Sequence, residues 1–85
     1  MTRAWQAFEA EVKTWHEGYW PVVENLRGLP TGHQFIVDDL PSYKAGKRGR
    51  SAYPVLLEGV KRGVLSVVGR RPKGRVKRIV YCRVD

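Results

Sequence analysis

Apolar positions along the first stretch of the chain fall on a single helical stripe. Trp5, Phe8, Val12 and Trp15 follow one another at i, i+3, i+7 and i+10, the spacing that lines one side of an α-helix. Glu9, Glu11, Lys13 and Glu17 lie mostly outside that stripe. Thr2 is a suitable cap for a helix beginning at Arg3 or Ala4, and Gly18 is a natural stop. The pattern therefore predicts an N-terminal amphipathic helix over residues 1–18. A second helix follows, with Pro21 in its first turn, Val22, Val23 and Leu26 on its apolar side, and Gly28 and Pro30 at its end. Thr31-Gly32 reads as a turn and Phe35-Ile36-Val37 as a short strand. Asp38 can then cap a brief helix through Leu40 to about Tyr43, with Pro41 tolerated in its first turn.

The pattern changes at Lys44. Residues 44–50, Lys-Ala-Gly-Lys-Arg-Gly-Arg, read as a loop. Ser51 is placed to cap a third helix that runs to about Arg62 and is closed by Gly63. At about 100° per residue, Ala52, Tyr53, Leu56, Leu57 and Val60 cluster on one side, predicted to be buried. Ser51, Pro54, Val55, Glu58 and Arg62 occupy the other side, predicted to face outward. Val64 to Val68 reads as a strand, Gly69 to Gly74 as a turn, and Val76 or Arg78 to Val84 as a second strand pairing with the first. Arg70, Arg71, Lys73, Arg75 and Lys77 surround the tip of that hairpin, and Arg78 extends the run.

A chain of 85 residues has room for one core, so these elements form a single compact α+β domain. A domain of this size buries only about 60–65% of its unfolded surface, which makes self-association a natural expectation. The two Trp and one Phe of the first stripe serve either the core or a dimer or partner interface formed by Trp5, Phe8, Val12 and Trp15. Cys82 is the one cysteine, which excludes an intrachain disulfide and a cysteine zinc site within one chain. No apolar run is long enough to span a membrane, and the N-terminus lacks a signal-peptide core. The expectation is a cytoplasmic protein, associated with the nucleoid if it binds DNA.

Charge sharpens the picture. From Met1 to Tyr43 three basic residues face six acidic ones, a net of −3, and from Lys44 to Asp85 thirteen basic residues face two acidic ones, a net of +11. A field concentrated in this way suits a polyanion held through phosphate contacts and counterion release. A solubilising surface, an acidic protein or a membrane surface are the other uses of such a patch.

The order helix, short strand, short helix, turn, helix, β-hairpin, together with local wording, resembles the winged helix-turn-helix superfamily. The run Leu29-Pro30-Thr31-Gly32-His33-Gln34-Phe35-Ile36-Val37-Asp38-Asp39-Leu40 looks like the entry to the first strand and the helix after it. Val60-Lys61-Arg62-Gly63-Val64-Leu65 looks like a recognition helix turning into a wing. The likeness covers Val22 to Val84. It implies a winged-helix domain over residues 19–85, with a three-helix core and a C-terminal hairpin wing, preceded by the extra aromatic helix. Two features depart from the pattern: a basic Gly-rich loop replaces a tight turn before the third helix, and Glu58 sits on its outward side.

The resemblance implies roles for these residues. Ser51, Val55, Glu58 and Arg62 would face base edges in a major groove, with Val55 against a thymine methyl and Glu58 accepting from a cytosine amine. Glu58 paired with Lys61 or Arg62 is the plain alternative. Arg70, Arg71, Lys73, Arg75 and Lys77 would hold backbone or reach into a narrow minor groove, and Lys44, Lys47, Arg48 and Arg50 would clamp phosphates.

Other chemistry has little support. His16 and His33 have no partners at metal-ligand spacing. Asp38-Asp39 at a helix start reads as a cap, and Gly-Lys-Arg-Gly-Arg lacks the full phosphate-loop spacing. The expectation is a non-enzyme without cofactor: a small sequence-specific regulator of double-stranded DNA acting by site occupancy, with its first helix as the candidate for homodimerisation. Two other readings stand beside it. One is a protein-interaction module, inhibitor or adaptor on the same scaffold. The other is RNA binding, with Tyr53 and Tyr81 to stack bases.

Overall fold

The computed structural model describes residues 2–44 and 52–85. Helix α1 spans Arg3–Lys13, a 3₁₀ turn Glu17–Tyr19, α2 Trp20–Arg27, strand β1 Gln34–Phe35 and a second 3₁₀ turn Val37–Asp39. Then come α3 at Pro41–Lys44, α4 at Tyr53–Lys61, β2 at Leu65–Lys73 and β3 at Val76–Arg83. The three strands form an antiparallel sheet in the order β1-β3-β2. The class is α+β.

Helix α1 starts where the sequence predicts, with the Thr2 hydroxyl accepting from the Trp5 N–H at 3.2 Å. It ends at Lys13, short of Gly18, because His16 begins a new element: its Nδ1 accepts from the Gly18 N–H at 2.9 Å and caps the 3₁₀ turn. Trp5, Phe8 and Val12 are buried in the domain's own core with Val22, Val23, Leu26, Phe35, Leu40, Leu56 and Tyr81. That burial removes Trp5, Phe8 and Val12 from the surface and corrects the expectation of a dimer or partner interface there. Trp15 is half-buried and packs against the same core, with its ring edge-on to Tyr19. Removing apolar side chains such as these from water is the main stabilising term, about 1.5–3 kcal/mol for a fully buried one.

The strand at residues 35–37 is shorter than expected. Only Gln34 and Phe35 pair, opposite Cys82 and Tyr81, and Val37 already belongs to the 3₁₀ turn. Asp39 does the capping there, its Oδ2 accepting from the Ile36 N–H at 3.0 Å. Asp38 is left free to bond elsewhere.

Helix α4 and the hairpin after it correct two expectations. The helix is rotated relative to the predicted wheel: Ala52, Val55, Leu56 and Gly59 face inward, with Val55 and Leu56 fully buried, and Tyr53 and Leu57 face out. The cause is Gly59. A Cβ at that position would sit 2.8 Å from Leu65 Cδ1, so the helix approaches β2 through its one side-chain-free position. Positions 52, 55, 56 and 59 form the i, i+3, i+4, i+7 stripe that such an approach requires. The end of α4 is closed by a Schellman turn: Val64 N–H to Gly59 C=O at 3.0 Å and Gly63 N–H to Val60 C=O at 3.1 Å, with Gly63 at φ +81°. The chain then enters β2 directly.

The second correction is the hairpin, which is longer than read. Gly69 to Lys73 belongs to β2, and the connection is only Gly74-Arg75, between paired Lys73 and Val76. Gly74 has φ +61° while no non-glycine has a positive φ, as in the type II′ turn that favours two-residue hairpins. Pro72 does not break β2, because among the described residues β2 is an edge strand of the sheet.

The base of the hairpin is locked to the helices by Arg83. Its Nη1 donates to the carbonyls of Leu26, Arg27 and Leu29 at 3.0, 2.9 and 2.5 Å. Leu26 and Arg27 close the last turn of α2, whose carbonyls a helix end leaves short of partners, and Leu29 follows just beyond it; the Leu26 carbonyl also accepts from the Leu29 N–H at 3.1 Å. The guanidinium carbon lies 4.4 Å above the Trp5 ring centroid, a cation–π contact.

Candidate nucleic-acid interface

The hairpin carries its cations on two faces, and the sheet register sorts them. Residues directly opposite across an antiparallel pair share a face. Arg70 stands opposite Ile79 and Pro72 opposite Lys77, whereas Arg71 stands opposite Arg78 and Lys73 opposite Val76. A bulge sets this arrangement. The register shifts between Val67 and Gly69, and the extra residue reverses the alternation that follows. Without it Arg71 would lie on the side of Leu65 and Tyr81. With it Arg71 sits beside Arg78.

Two arginines side by side repel, and the paired carboxylates offset this. Asp38 Oδ1 lies 3.0 Å from Arg78 Nε, and Asp39 Oδ2 lies 3.5 Å from Arg71 Nη2. Arg78 Nη2 also donates to the Tyr43 hydroxyl at 3.4 Å. The Arg78 pKa is raised, chiefly by its hydrogen bond to Asp38. Asp38 and Asp39 thus tie the outer hairpin to the body of the domain, a role that sequence reasoning missed. The signal available was a pair of adjacent acids in a chain whose second half is almost wholly basic.

Helix α4 offers less than the sequence promised. Val55 is buried and cannot meet a base. Glu58 and Arg62 hold each other at 2.7 Å, and Arg62 Nη2 is also 3.9 Å from Glu11. The bond to Glu58 is the main cause of the raised Arg62 pKa. The exposed side of α4 is instead Tyr53, Pro54, Leu57 and Lys61, with Leu57 71% exposed. Lys44 is the last residue of α3, and Lys47, Arg48, Arg50 and Ser51 lie outside the described residues.

The acids of the first half are largely matched in place. Glu9 and Glu24 pair with Arg27, Glu11 with Arg62, Asp38 with Arg78 and Asp39 with Arg71. Compared with family models, with curated proteins and with solved structures, the chain matches none. The site is therefore read from its own geometry. Among the described residues, Arg70, Lys73, Arg75 and Lys77 are exposed and form no ion pair. They cluster on the outer half of one hairpin, where four positive charges repel each other and none has an ion-pair partner among the described residues. Such a surface attracts a multivalent anion.

The remaining chemistry is sparse. Among the described residues no group of three or more His, Cys, Asp or Glu is placed to hold a metal, and no helix is long and apolar enough to cross a membrane. An open groove beside α2 is lined by His16, Glu17, Trp20, Glu24 and Asn25. It lies on the acidic part of the chain, and Glu24 in its lining pairs with Arg27.

Proposed function

We propose that the chain is a winged helix-turn-helix domain that binds double-stranded DNA, a small regulator acting by site occupancy. The observation that carries this reading is the unmatched quartet Arg70, Lys73, Arg75 and Lys77 on a hairpin whose base is locked into the core. The order of elements and the sheet order β1-β3-β2 support the winged-helix assignment, since they place a C-terminal hairpin beside the third long helix. A polyanion with regularly spaced charge matches cations presented along a ribbon. Four phosphate contacts imply a log–log salt slope of about −3.6, made steeper by the cations of residues 44–50.

One observation favours a second reading. Tyr53, Pro54 and Leu57 present an apolar strip on the exposed side of α4, which suits a protein partner better than an anionic groove. The readings separate in one experiment. Fluorescence anisotropy on a random 25-base-pair duplex is competed with single-stranded DNA, RNA and an acidic protein. Preferential competition by duplex, weakening steeply with salt, is the expected result. Binding that only the acidic protein displaces, or no duplex binding at low salt, would overturn the DNA reading in favour of the partner surface.

A further inference from the structure

Resting on that DNA reading, we infer that the groove-entering element is the β2–β3 ribbon, inserted into the major groove, and that helix α4 stays outside it. Three observations converge. The first is the face that α4 presents. A helix that reads bases needs polar groups aimed at base edges, but Val55 is buried and Glu58 and Arg62 occupy each other. Leu57 and Tyr53 stand in their place. Lys61 is the one exposed cation of α4.

The second is reach. Ile79, opposite Arg70, is the outermost hairpin residue packed against the core. The three residues of each strand beyond that pair extend about 10 Å at a rise of about 3.3 Å each, and the Gly74-Arg75 turn lies beyond them. That exceeds the roughly 8.5 Å depth of the major groove.

The third is how the cations are distributed. A ribbon with side chains on both faces is about 10 Å thick, judged by the spacing of packed sheets. It fits a major groove about 12 Å wide and not a minor groove about 6 Å wide. Lodged there, Arg70 and Lys77 on one face meet one phosphate wall, and Lys73 on the other face meets the opposite wall. Arg75, at the turn, points its fork of donors to the groove floor, where guanine O6 and N7 accept two hydrogen bonds. Val76, exposed beside it, is placed for a thymine methyl. The clamps from Asp38 to Arg78 and from Asp39 to Arg71 hold the ribbon at a fixed angle, so the tip enters pre-oriented.

The test uses the full chain, the random 25-base-pair duplex and two groove-specific competitors, methyl green for the major groove and netropsin for the minor. The wild-type complex is expected to be displaced by methyl green and not by netropsin. Replacing Lys73 and Arg75 together by Ala should weaken binding at least tenfold, and replacing Leu57 and Lys61 together by Ala should change it less than threefold. Circular dichroism melts confirm that each variant is folded. All four side chains are exposed, so both variants should melt close to wild type. A wild type that binds but is displaced by netropsin, or that loses more from the α4 pair than from the tip pair, overturns the ribbon inference and leaves DNA binding intact. A wild type that does not bind duplex at low salt removes the DNA reading, and the inference with it.

Discussion

The two ends of one hairpin are built to opposite rules. At its base, Leu65 and Tyr81 are buried, Phe35 stacks on Tyr81 at 5.8 Å, and Arg83 has three carbonyls at the end of α2 and just past it, with an aromatic face, around its guanidinium. At its tip, Arg70, Lys73, Arg75 and Lys77 are exposed, with no ion pair among the described residues. The same residue type, arginine, is structural at position 83 and without a fold role at position 75. Stability and the proposed binding are therefore separable along one ribbon. The middle pair, Arg71 and Arg78, marks the crossover: charged, partly exposed, yet tied to Asp39 and Asp38.

Substitutions can break this contrast, and the largest effect belongs to the base. Replacing Arg83 by Ala removes three hydrogen bonds, to the carbonyls of Leu26, Arg27 and Leu29, and the cation–π contact. A hydrogen bond to a charged group is worth about 1.5–3 kcal/mol, and the contact over Trp about 1 kcal/mol more. Urea denaturation should show a loss of about 3 kcal/mol or more. A loss below about 1 kcal/mol would mean that the hairpin base is not anchored as described.

Gly59→Ala comes next. The alanine gains about 1 kcal/mol of helix propensity. Its Cβ, however, would lie 2.8 Å from Cδ1 and 3.0 Å from Cγ of Leu65, itself buried in the core. Overpacking of this kind costs about 1–3 kcal/mol, so a net destabilisation of about 1 kcal/mol is expected. A stabilised variant would show that α4 does not approach β2 so closely.

Tyr81 gives a pH dependence. Burial raises its pKa above the ordinary value, with Tyr53 adding to the shift. The folded state therefore resists losing the phenolic proton more than the unfolded chain does. This group's contribution is intact below about pH 10, the unfolded value, and is lost as pH rises through the higher folded one. Thermal melts above pH 10 should fall for wild type and fall less for Tyr81→Phe. Parallel curves would place the phenol in water. The smallest effect is at the tip: Ala at positions 70, 73, 75 and 77 should leave urea stability within about 0.5 kcal/mol, because no ion pair is broken among the described residues. A clear gain, from relief of charge repulsion, would point the same way.

Much of this was legible before the structure. The stripe of Trp5, Phe8 and Val12, the Thr2 cap and the pairing of the last two strands as a hairpin follow from periodicity and capping chemistry. The phase of α4 did not, because hydrophobicity alone favours Tyr53 and Leu57 as inward residues. The residue that decides it, Gly59, carries no hydrophobic signal. The hairpin turn was misplaced because Gly69 and Pro72 read as breakers, and only the edge position of β2 makes them tolerable. The site was legible as a list of cations and illegible as a selection among them. Which arginines are engaged depends on Asp38 and Asp39 meeting Arg78 and Arg71, a long-range contact whose register a one-residue bulge sets.

The central claim is that the tip cations are free in the fold because they hold duplex DNA. It is tested most directly by the salt dependence of anisotropy on the random 25-base-pair duplex, for wild type and for the variant with Ala at 70, 73, 75 and 77. The account predicts a steep wild-type slope that flattens by about 3 in the variant, at unchanged stability. Equal slopes for the two proteins, or no wild-type binding at low salt, would contradict it.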